Sequence, residues 1–360
     1  MVSKTAVISG ITGQDGYYLT NHLLQLGYRV VGIVRRTSNA NDIRLRILKG
    51  SPNLNLVNGD VTDLSSIQSI VFKFKPHEFY HLAAQSHVAL SWQYPVTTAE
   101  ITGLGVLNCL EALRQVKPDC RFYQAGSSEQ FGNSLPNGGE KFYIPGVGYR
   151  GTGARPELGS IKLNELSTMA PESPYAVAKC FGYNITTCYR RSFDMFAVTG
   201  ILFNHESPLR GENFVTRKIT SNLARIKWGL QDKVELGNMD ACRDWGFSGD
   251  YVRAMHLMLQ TDEPDDFVIA TGQTHSVRKF FSACCNWFEL DPEQVLAINP
   301  AFMRPKDIDV LIGDATKAQE VLGWKPSCDF DQLVDKMCKY DYHLQSPDPS
   351  YARRADEFVS

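Results

Sequence analysis

The first half of the chain alternates short apolar runs with amphipathic helical patterns, and this alternation restricts the fold more than any other feature of the sequence. The apolar runs are typical of buried strands and occur at residues 6–9, 29–34, 54–58, 78–83, 121–125 and 197–203. The helical patterns occupy residues 17–26, 98–114 and 173–191. Strands that alternate with helices at this spacing form βαβ units and therefore run parallel. The sequence predicts an α/β fold with a doubly wound parallel sheet, whose ligands bind at the carboxyl ends of the strands.

Beyond residue 203 the alternation weakens. One more strand is indicated at residues 266–271, and helices are indicated at residues 213–229, 277–288, 315–322 and 330–344. We expect residues 1–203 and about 245–275 to form a Rossmann domain, and residues 204–244 and 276–360 to form a smaller mixed α/β domain for the substrate. Between residues 133 and 171, Gly, Pro and Glu follow no structural period, which predicts a long insert beside the site.

The charge and cysteine content exclude several kinds of partner. The chain has 360 residues, and its 37 Lys and Arg against 39 Asp and Glu give a net charge of −2, so we expect neither nucleic acid nor an anionic membrane as partner. No apolar stretch approaches the roughly 18 residues of a membrane-spanning helix, and the first residues do not resemble a signal peptide. The nine cysteines lack the spacing of a metal site. We therefore expect free thiols, no metal and a cytoplasmic location.

A glycine-rich turn, GITGQDG at residues 10–16, follows the first strand and opens the first helix. Glycines at this position let a pyrophosphate approach the backbone and rest on the helix N-terminus. The turn predicts dinucleotide binding, and a tight turn without a ligand is the alternative. The residues that we expect to contact the dinucleotide are Gly10, Thr12, Gly13, Gln14, Asp15 and Gly16.

The end of the second strand bears on the choice of dinucleotide. An NAD site carries an acidic residue there, which binds the ribose 2′-hydroxyl group. This chain instead has Arg35 and Arg36, whose guanidinium groups suit a 2′-phosphate. We therefore expect NADP, with a solvated basic loop as the alternative. Asp60 and Val61 follow the third strand, where the carboxylate either accepts from the adenine amine or forms a turn.

Tyr175 and Lys179 stand one helical turn apart, so their side chains share one face of the predicted helix. A nearby ammonium favours the phenolate, which can accept a proton from a hydroxyl group. Ser127 and Glu129 follow the strand at residues 121–125, at the edge of the sheet where ligands bind. The serine can bind a substrate hydroxyl group, and the carboxylate can remove a proton beside a carbonyl group so that water is lost. The alternative for Glu129 is that its negative charge only stabilises the N-terminus of a helix by interacting with the helix dipole.

Long segments of the chain carry a family resemblance. They include HLAAQSHV at residues 81–88, RFYQAGSSEQFG at 121–132, SPYAVAK at 173–179, NHESPLRGENFVTRKIT at 204–220 and GDATKAQEVLGWKP at 313–326. Together with the turn at residues 10–16, these segments are distributed in order along nearly the whole chain. The chain resembles the extended short-chain dehydrogenase/reductases and, more closely, the GDP-mannose 4,6-dehydratase family.

The resemblance implies an NADP-dependent hydro-lyase that converts GDP-mannose to GDP-4-keto-6-deoxymannose. Tyr175, helped by Lys179 and Ser127, takes the proton of the sugar 4-hydroxyl group while C4 gives hydride to NADP. Glu129 then removes the C5 proton and helps to expel the C6 hydroxyl group as water, after which the hydride returns to C6. The resemblance also implies a homodimer or homotetramer. Further contacts that it implies are Leu82, Ala83, His205 and Arg210 for the cofactor, and Ser86, Asn204, Lys218, Arg243 and Arg304 for the GDP-sugar.

Departures from the family leave the substrate open. Ser127 stands where a threonine is usual, and the segment between Gly132 and Ser173 is longer than is usual. Because this insert joins the strand before Glu129 to the helix of Tyr175, it borders the expected sugar pocket. GDP-manno-heptose is therefore an alternative substrate, and the insert could instead serve as a lid or a subunit contact. Two different functions also fit parts of the pattern: an epimerase, which needs no carboxylate at residue 129, and a non-catalytic NADP sensor.

Overall fold

The protein is described from a computed structural model, which covers residues 3–35, 50–132, 141–144, 148–151, 162–302, 308 and 310–359. Its strands, in chain order, are β1 Thr5–Ser9, β2 Arg29–Val34, β3 Leu54–Asn58, β4 Glu78–His81, β5 Arg121–Ala125, β6 Lys141–Ile144, β7 Gly148–Gly151, β8 Ala197–Leu202, β9 Asn204–Glu206, β10 Val234–Leu236, β11 Cys242–Arg243, β12 Trp245–Phe247, β13 Phe267–Ile269, β14 His275–Ser276, β15 Leu296–Ile298 and β16 Val310–Leu311.

The α-helices, in chain order, are α1 Gln14–Gln25, α2 Leu64–Phe74, α3 Val88–Gln93, α4 Pro95–Thr98, α5 Gly105–Val116, α6 Pro174–Phe193, α7 Val215–Lys227, α8 Ser248–Met258, α9 Val277–Phe288, α10 Pro292–Val295, α11 Thr316–Leu322, α12 Phe330–Leu344 and α13 Pro349–Arg354. A π-helix spans Ala99–Leu104, and 3-10 helices span Ser128–Phe131, Pro300–Phe302 and Ala355–Phe358.

Seven parallel strands form the central sheet, in the order β13-β8-β5-β4-β1-β2-β3. Strand β1 lies between β2 and β4, with Val7 opposite both Val31 and Phe79. The chain winds outward from β1 through β2 and β3 on one side, and from β4 through β5 on the other. The strand order therefore reverses between β1 and β4, which is where open α/β sheets bind ligands. The predicted doubly wound parallel sheet of Rossmann type is confirmed.

The two faces of the sheet bury alternate residues of each strand. Val7 and Phe79 pack into a core with helices α2 and α5. Ile8 and Tyr80 point the opposite way, into a core that α1 and α8 share with the C-terminal helices. Because helices cover both faces, the strands carry continuous apolar runs rather than an apolar–polar alternation.

Helices α7, α9 and α12 pack on one another beside the sheet. A buried ion pair joins two of them, since Arg217 Nε lies 2.8 and 2.9 Å from the two Asp341 oxygens, and Thr220 donates to Asp341 as well (2.6 Å). Short strands accompany these helices in the pairs β10–β15 and β9–β12 and in the set β14–β11–β16. The division of the chain into two domains at the expected boundaries stays a prediction.

Some elements differ from those expected. The helix expected at 98–114 is interrupted, because a π-helix precedes α5. Helix α2 was not predicted; its apolar residues alternate with serines, and the Asp63 side chain caps it by accepting from the Ser65 and Ser66 N–H groups. Helix α8 was also missed, because Asp250 is buried on it and obscures its apolar period. The strand expected at residues 266–271 is confirmed as β13. The other short strands after residue 203 were missed, since two or three residues show no period.

Part of the predicted insert is described. Residues 133–140, 145–147 and 152–161 lie outside the described residues. Strands β6 and β7 pair antiparallel within the insert. Further along, Leu163 bridges to Gly313, and Glu165 Oε1 accepts from the Val268 N–H over 2.7 Å. The end of the insert is thus attached to edge strand β13 and to the segment after β16.

Candidate active site

The glycine-rich turn lies at the carboxyl end of β1, where the strand order reverses. Gly10 has a φ of +77°, and a Cβ there would lie 2.7 Å from the Ala83 backbone nitrogen. The N–H of Gly13 donates to the Gly10 carbonyl oxygen over 2.9 Å, and α1 begins at the next residue. A Cβ on Gly16 would lie 2.5 Å from the same oxygen, while Thr12 is half-buried within the turn. A tight turn of this kind before a helix N-terminus suits the pyrophosphate of a dinucleotide.

The first two side chains of α1 face strand β9 and the start of α8. Gln14 donates from Nε2 to the His205 carbonyl oxygen and accepts from the Ser207 hydroxyl, both over 2.8 Å. One Asp15 oxygen lies 2.8 Å from His205 Nε2, and the other accepts from the Ser248 hydroxyl over 2.7 Å. These side chains, which we expected to contact a dinucleotide, join the glycine-rich turn to β9 and α8.

Opposite charges meet at this junction. Burial favours a higher pKa for Asp15, but His205 and the Ser248 hydroxyl hold it below its ordinary value. Burial likewise opposes a charged His205, but Asp15 raises the pKa of this imidazole above its ordinary value. Arg210 is a further cation here, and its Nε lies 3.2 Å from Glu206 Oε2. Positive charge therefore accompanies the one carboxylate in the first turn of α1.

The end of β2 is described in part. Arg35 is exposed directly after the strand, and Arg36 lies outside the described residues. No carboxylate stands at positions 34–36 of the sequence to bind a ribose 2′-hydroxyl group. The preference for NADP over NAD stays a prediction.

The remaining cofactor residues expected on the sheet follow β3 and β4. One Asp60 oxygen accepts from the Thr62 N–H (3.0 Å) and hydroxyl (2.8 Å), so Asp60 forms the turn that its position also allowed. Val61 is buried, whereas Leu82 and Ala83 are half-buried just after β4. The close approach of Ala83 to the glycine-rich turn places the end of β4 beside the expected dinucleotide.

Ser127 and Glu129 occupy the turn after β5. Ser127 caps the 3-10 helix Ser128–Phe131, and its Oγ accepts from the Glu129 N–H over 3.3 Å. Gln130 completes the cap, since its Oε1 accepts from the Ser127 N–H over 2.7 Å. The serine side chain is buried and the glutamate is half-buried. The cap fixes the direction in which the chain presents both side chains.

Tyr175 and Lys179 lie in the first two turns of α6. Ser173 caps this helix by accepting from the Ala176 N–H over 3.1 Å. Lys179 Nζ donates to the Ala125 carbonyl oxygen at the end of β5 over 2.7 Å and lies 5.7 Å from the centre of the Tyr175 ring. Helix α6 thereby brings the tyrosine and the lysine to the turn that carries Ser127.

Burial dominates the ionisation of this group. It raises the pKa of Tyr175 to about 12; the Ser127 hydroxyl and Arg210 act to lower it, and the charge of Glu129 acts to raise it. Burial also lowers the pKa of Lys179 to about 8. We expected the lysine to lower the pKa of the phenol towards neutral pH, but burial raises this pKa instead. Because Ser127 and Glu129 both act on the phenol, the structure brings together three of the four expected catalytic side chains, and Lys179 adjoins them.

Asn204 and Ser86 were expected to bind the substrate. Asn204 begins β9, next to His205, and its Oδ1 is buried with no hydrogen-bond partner among the described residues. An amide oxygen in that position is available to a ligand. Ser86 is exposed in the loop between β4 and α3.

The expected cations of the substrate site occupy different surroundings. Lys218 is half-buried on α7, with Nζ 3.3 Å from the centre of the Phe302 ring. Arg243 is buried and donates to the Ile308 carbonyl oxygen over 2.7 Å. Arg304 lies outside the described residues. The structure therefore describes two of these three cations, one on a helix and one on β11.

The sequence analysis missed a polar pair under the site. His81 on β4 is the cross-strand neighbour of Gln124 on β5, and its Nδ1 lies 2.8 Å from Ser9 Oγ. His81 Nε2 and Gln124 Oε1 are buried without a hydrogen-bond partner in the described part of the chain. Burial, reinforced by Lys179, lowers the pKa of His81 to about 3. Polar residues at the ends of two apolar strands were the available signal.

A Rossmann-type sheet, a glycine-rich turn at its switch point and a Tyr–Lys pair on the helix after β5 define a class, the short-chain dehydrogenase/reductases. The sequence profile described as GDP-mannose 4,6 dehydratase matches residues 7–141 and 157–337. This match covers well over half of the chain. The chain belongs to the GDP-mannose 4,6-dehydratase family, as its sequence motifs predicted.

Individual relatives agree with this assignment. GDP-mannose 4,6 dehydratase 1 of Arabidopsis thaliana is 45% identical over 351 residues, which cover 95% of this chain and 90% of that protein. The Homo sapiens GDP-mannose 4,6 dehydratase is 40% identical over 372 residues, covering 96% and 94%. The crystal structure of DesIV, a dTDP-glucose 4,6-dehydratase from Streptomyces venezuelae, superposes with a TM-score of 0.78 at 19% identity. The match covers 93% of this chain and 95% of that chain and shows a likeness of fold.

Among the described residues, no helix combines the length and apolarity needed to cross a membrane.

Proposed function

We propose that this chain is a hydro-lyase that converts GDP-mannose to GDP-4-keto-6-deoxymannose with a bound nicotinamide dinucleotide. The observation that carries the proposal is that helix α6 brings Tyr175 to the turn after β5 that carries Ser127 and Glu129. Lys179 Nζ on that helix donates to the carbonyl oxygen at the end of β5 over 2.7 Å, and Ser127 and Glu129 both influence the pKa of the phenol. Hydride transfer alone requires a hydroxyl base such as Tyr175. A carboxylate beside it adds the ability to remove a proton next to a carbonyl group. Membership of the family supports GDP-mannose as the substrate.

Each side chain then has a defined task. A bound dinucleotide supplies the hydride acceptor for C4 and the hydride donor for C6. Tyr175 accepts the proton of the 4-hydroxyl group, which Ser127 holds by a hydrogen bond. Ser127 and Arg210 favour the phenolate against the cost of burial. Glu129 removes the proton from C5, next to the new carbonyl group, and passes it to the C6 hydroxyl group, which leaves as water. Tyr175 then returns its proton to C5 as C6 is reduced, so that both side chains regain their starting protonation states.

For the cofactor we propose NADP, held at the glycine-rich turn. Support comes from the geometry of Gly10 and Gly16, which leaves no room for side chains, and from exposed Arg35 at the end of β2. Leu82 and Ala83 would line the opposite side of the dinucleotide, at the end of β4. Lys179, whose Nζ is fixed at the end of β5, would donate to the nicotinamide end.

For the GDP-sugar we propose contacts from β9, α7 and β11. The support is the unpartnered amide oxygen of Asn204 together with two cations, Lys218 and Arg243. A nucleoside diphosphate concentrates negative charge, and a chain with a net charge of −2 must meet it with local cations.

We further propose a homo-oligomer in the cytoplasm. An apolar groove of about 520 Å³ runs between the π-helix and α6, and exposed Trp92, Leu104 and Val177 line it. A second copy of the chain that covered this groove would bury these side chains. A monomeric mass in light scattering at micromolar concentration would contradict the homo-oligomer.

The cysteines support the cytoplasmic location. All nine are free, as suits a reducing compartment.

The substrate is tested by direct conversion. Purified protein is incubated with GDP-mannose and, separately, with GDP-manno-heptose, and the products are weighed by mass spectrometry. Loss of one water from GDP-mannose is expected. Loss of water from the heptose alone would assign the alternative substrate, and loss from neither would refute the proposal.

A second experiment separates dehydration from epimerisation. Replacing Glu129→Gln keeps the shape of the side chain and removes the base. Water loss should slow by about 10²–10⁴-fold, the usual contribution of a general base, while C4 oxidation continues and reduced nicotinamide accumulates in a single turnover. Glu165→Gln is the matched control, because Glu165 is also half-buried but binds the Val268 N–H on edge strand β13. Full turnover of Glu129→Gln would favour the epimerase.

A further inference from the structure

Both ring nitrogens of His205 face acceptors. Nδ1 lies 2.8 Å from the Phe203 carbonyl oxygen, and Nε2 lies 2.8 Å from Asp15 Oδ2. A neutral imidazole carries one N–H and can satisfy one of these acceptors; an imidazolium satisfies both. Asp15 Oδ1 accepts from the Ser248 hydroxyl, which suits an ionised carboxylate. The geometry therefore describes an imidazolium–carboxylate pair.

The pair is enclosed by groups on several elements. The His205 ring stacks on the Tyr251 ring of α8, with centroids 4.7 Å apart. Arg210 is the other charged group that acts on His205. On α6, the charge of Asp15 acts to raise the pKa of both Tyr175 and Lys179. The neighbouring Glu206 is occupied elsewhere, by the Thr216 hydroxyl and by Arg210.

Asp15 stands in the first turn of α1, where the helix dipole and the glycine-rich turn favour an anion. A carboxylate there stabilises the helix but repels a second anion. An acidic residue in a pyrophosphate site thus requires a partner charge, and the structure supplies it from strand β9, 190 residues away along the chain.

We propose that His205 is a positioning residue whose positive charge neutralises Asp15 and so makes the start of α1 receptive to the pyrophosphate of the dinucleotide. The proposal rests on the proposed function, because it names a determinant of cofactor affinity. It predicts that affinity for the dinucleotide falls as pH rises and His205 loses its proton. Binding of the anion in turn stabilises the protonated imidazole, so binding takes up protons at alkaline pH.

The test is a double-variant cycle on the full chain, made of His205→Gln, Asp15→Asn and the two changes together. The dissociation constant of NADPH is measured by calorimetry at pH 7 and constant salt. His205→Gln should weaken binding by about tenfold, since it leaves Asp15 unpaired near the pyrophosphate. Asp15→Asn/His205→Gln should recover most of that loss, because neither charge remains. Losses that simply add in the double variant would assign a structural role to His205 and overturn the proposal. An absence of binding by the unaltered chain would instead refute the proposed function.

Two further measurements protect the test against misfolding and against other titrating groups. In the unaltered protein, ¹⁵N NMR of the histidine ring, assigned by its loss in His205→Gln, should show both nitrogens protonated at pH 7; a single protonated nitrogen would overturn the proposal. Between pH 7 and 9 the unaltered chain should lose more affinity than His205→Gln, which has no imidazolium proton to lose. Lys179, whose pKa is about 8, keeps the charge of Asp15 near it in both chains, so its titration cancels in this comparison. Equal losses would overturn the proposal as well.

Discussion

A side chain in the glycine-rich turn would meet two costs, a strained left-handed backbone and a clash with neighbouring backbone atoms. Three glycines, two in the turn and one after α1, allow these costs to be measured separately. Gly27, exposed after α1, has a φ of +82° and no atom within 4 Å of an added Cβ. Gly16 has helical geometry, but its Cβ would lie 2.5 Å from the Gly10 carbonyl oxygen. Gly10 combines both features, with a φ of +77° and a Cβ 2.7 Å from the Ala83 nitrogen. Gly27→Ala therefore measures backbone strain alone, Gly16→Ala measures close approach alone, and Gly10→Ala measures both together.

The expected losses follow from these distances. Gly27→Ala should reduce the free energy of unfolding by about 1–2 kcal/mol, the cost of a left-handed conformation. Gly16→Ala should lose about 1–3 kcal/mol by overpacking, offset by about 1 kcal/mol from the higher helix propensity of alanine. Gly10→Ala should lose about 2–5 kcal/mol, since both costs apply. The atoms that Gly10 and Gly16 would meet belong to the backbone and cannot rotate away.

Urea unfolding followed by circular dichroism measures the stability of each variant, and calorimetry measures NADPH binding. Gly27→Ala should bind NADPH like the unaltered chain, because it changes strain without touching the turn. Gly10→Ala and Gly16→Ala should bind it more weakly, because the turn must widen. The reasoning is refuted if Gly10→Ala proves no less stable than Gly27→Ala, or if it binds NADPH with unchanged affinity.

Three other changes test separate parts of the structure. Asp341→Asn should cost about 3–5 kcal/mol of unfolding free energy in urea, because it leaves the buried Arg217 guanidinium without its counter-charge; a loss below about 1 kcal/mol would contradict a buried pair. Stability should fall as pH decreases below about 6.5, because the pKa of His81 is lowered to about 3 and the unfolded chain binds the proton first. In His81→Asn, the urea midpoint should fall less between pH 7 and pH 5 than in the unaltered chain. An unchanged slope would argue against His81 as the cause of the fall. Lys179→Met should slow turnover at least about 10²-fold while leaving the urea midpoint equal or higher, since a buried ammonium is removed; a strongly destabilised variant would indicate that Lys179 serves the fold.

The sequence predicted the elements of the central sheet well, because burial on both faces leaves continuous apolar runs that are easily recognised. Strands β2, β3 and β5 were predicted with the bounds that the structure shows. Helices α2 and α8 were missed, since serines in one and buried Asp250 in the other obscure the apolar period. Apart from β13, the short strands after residue 203 were missed because their pairing depends on partners distant in the chain.

For the candidate site, residue types and spacing were sufficient to select Ser127, Glu129, Tyr175 and Lys179. They did not predict the ionisation of the group. Adjacent ammonium and phenol groups suggested a lowered tyrosine pKa, but burial raises that pKa to about 12. Desolvation depends on everything packed around a side chain, and this packing is not visible in local spacing.

Local pattern thus determined which segments become strands and helices, where the chain makes its glycine turn and which side chains bear the chemistry, because each of these depends on neighbours within a few residues. The tertiary structure alone decided that Asp15 meets His205, that Gln14 binds β9, and that His81 and Gln124 lie paired near Lys179. These contacts join residues far apart in the chain. Their energies come from burial and directed hydrogen bonds, which exist once the sheet has brought its strand ends together.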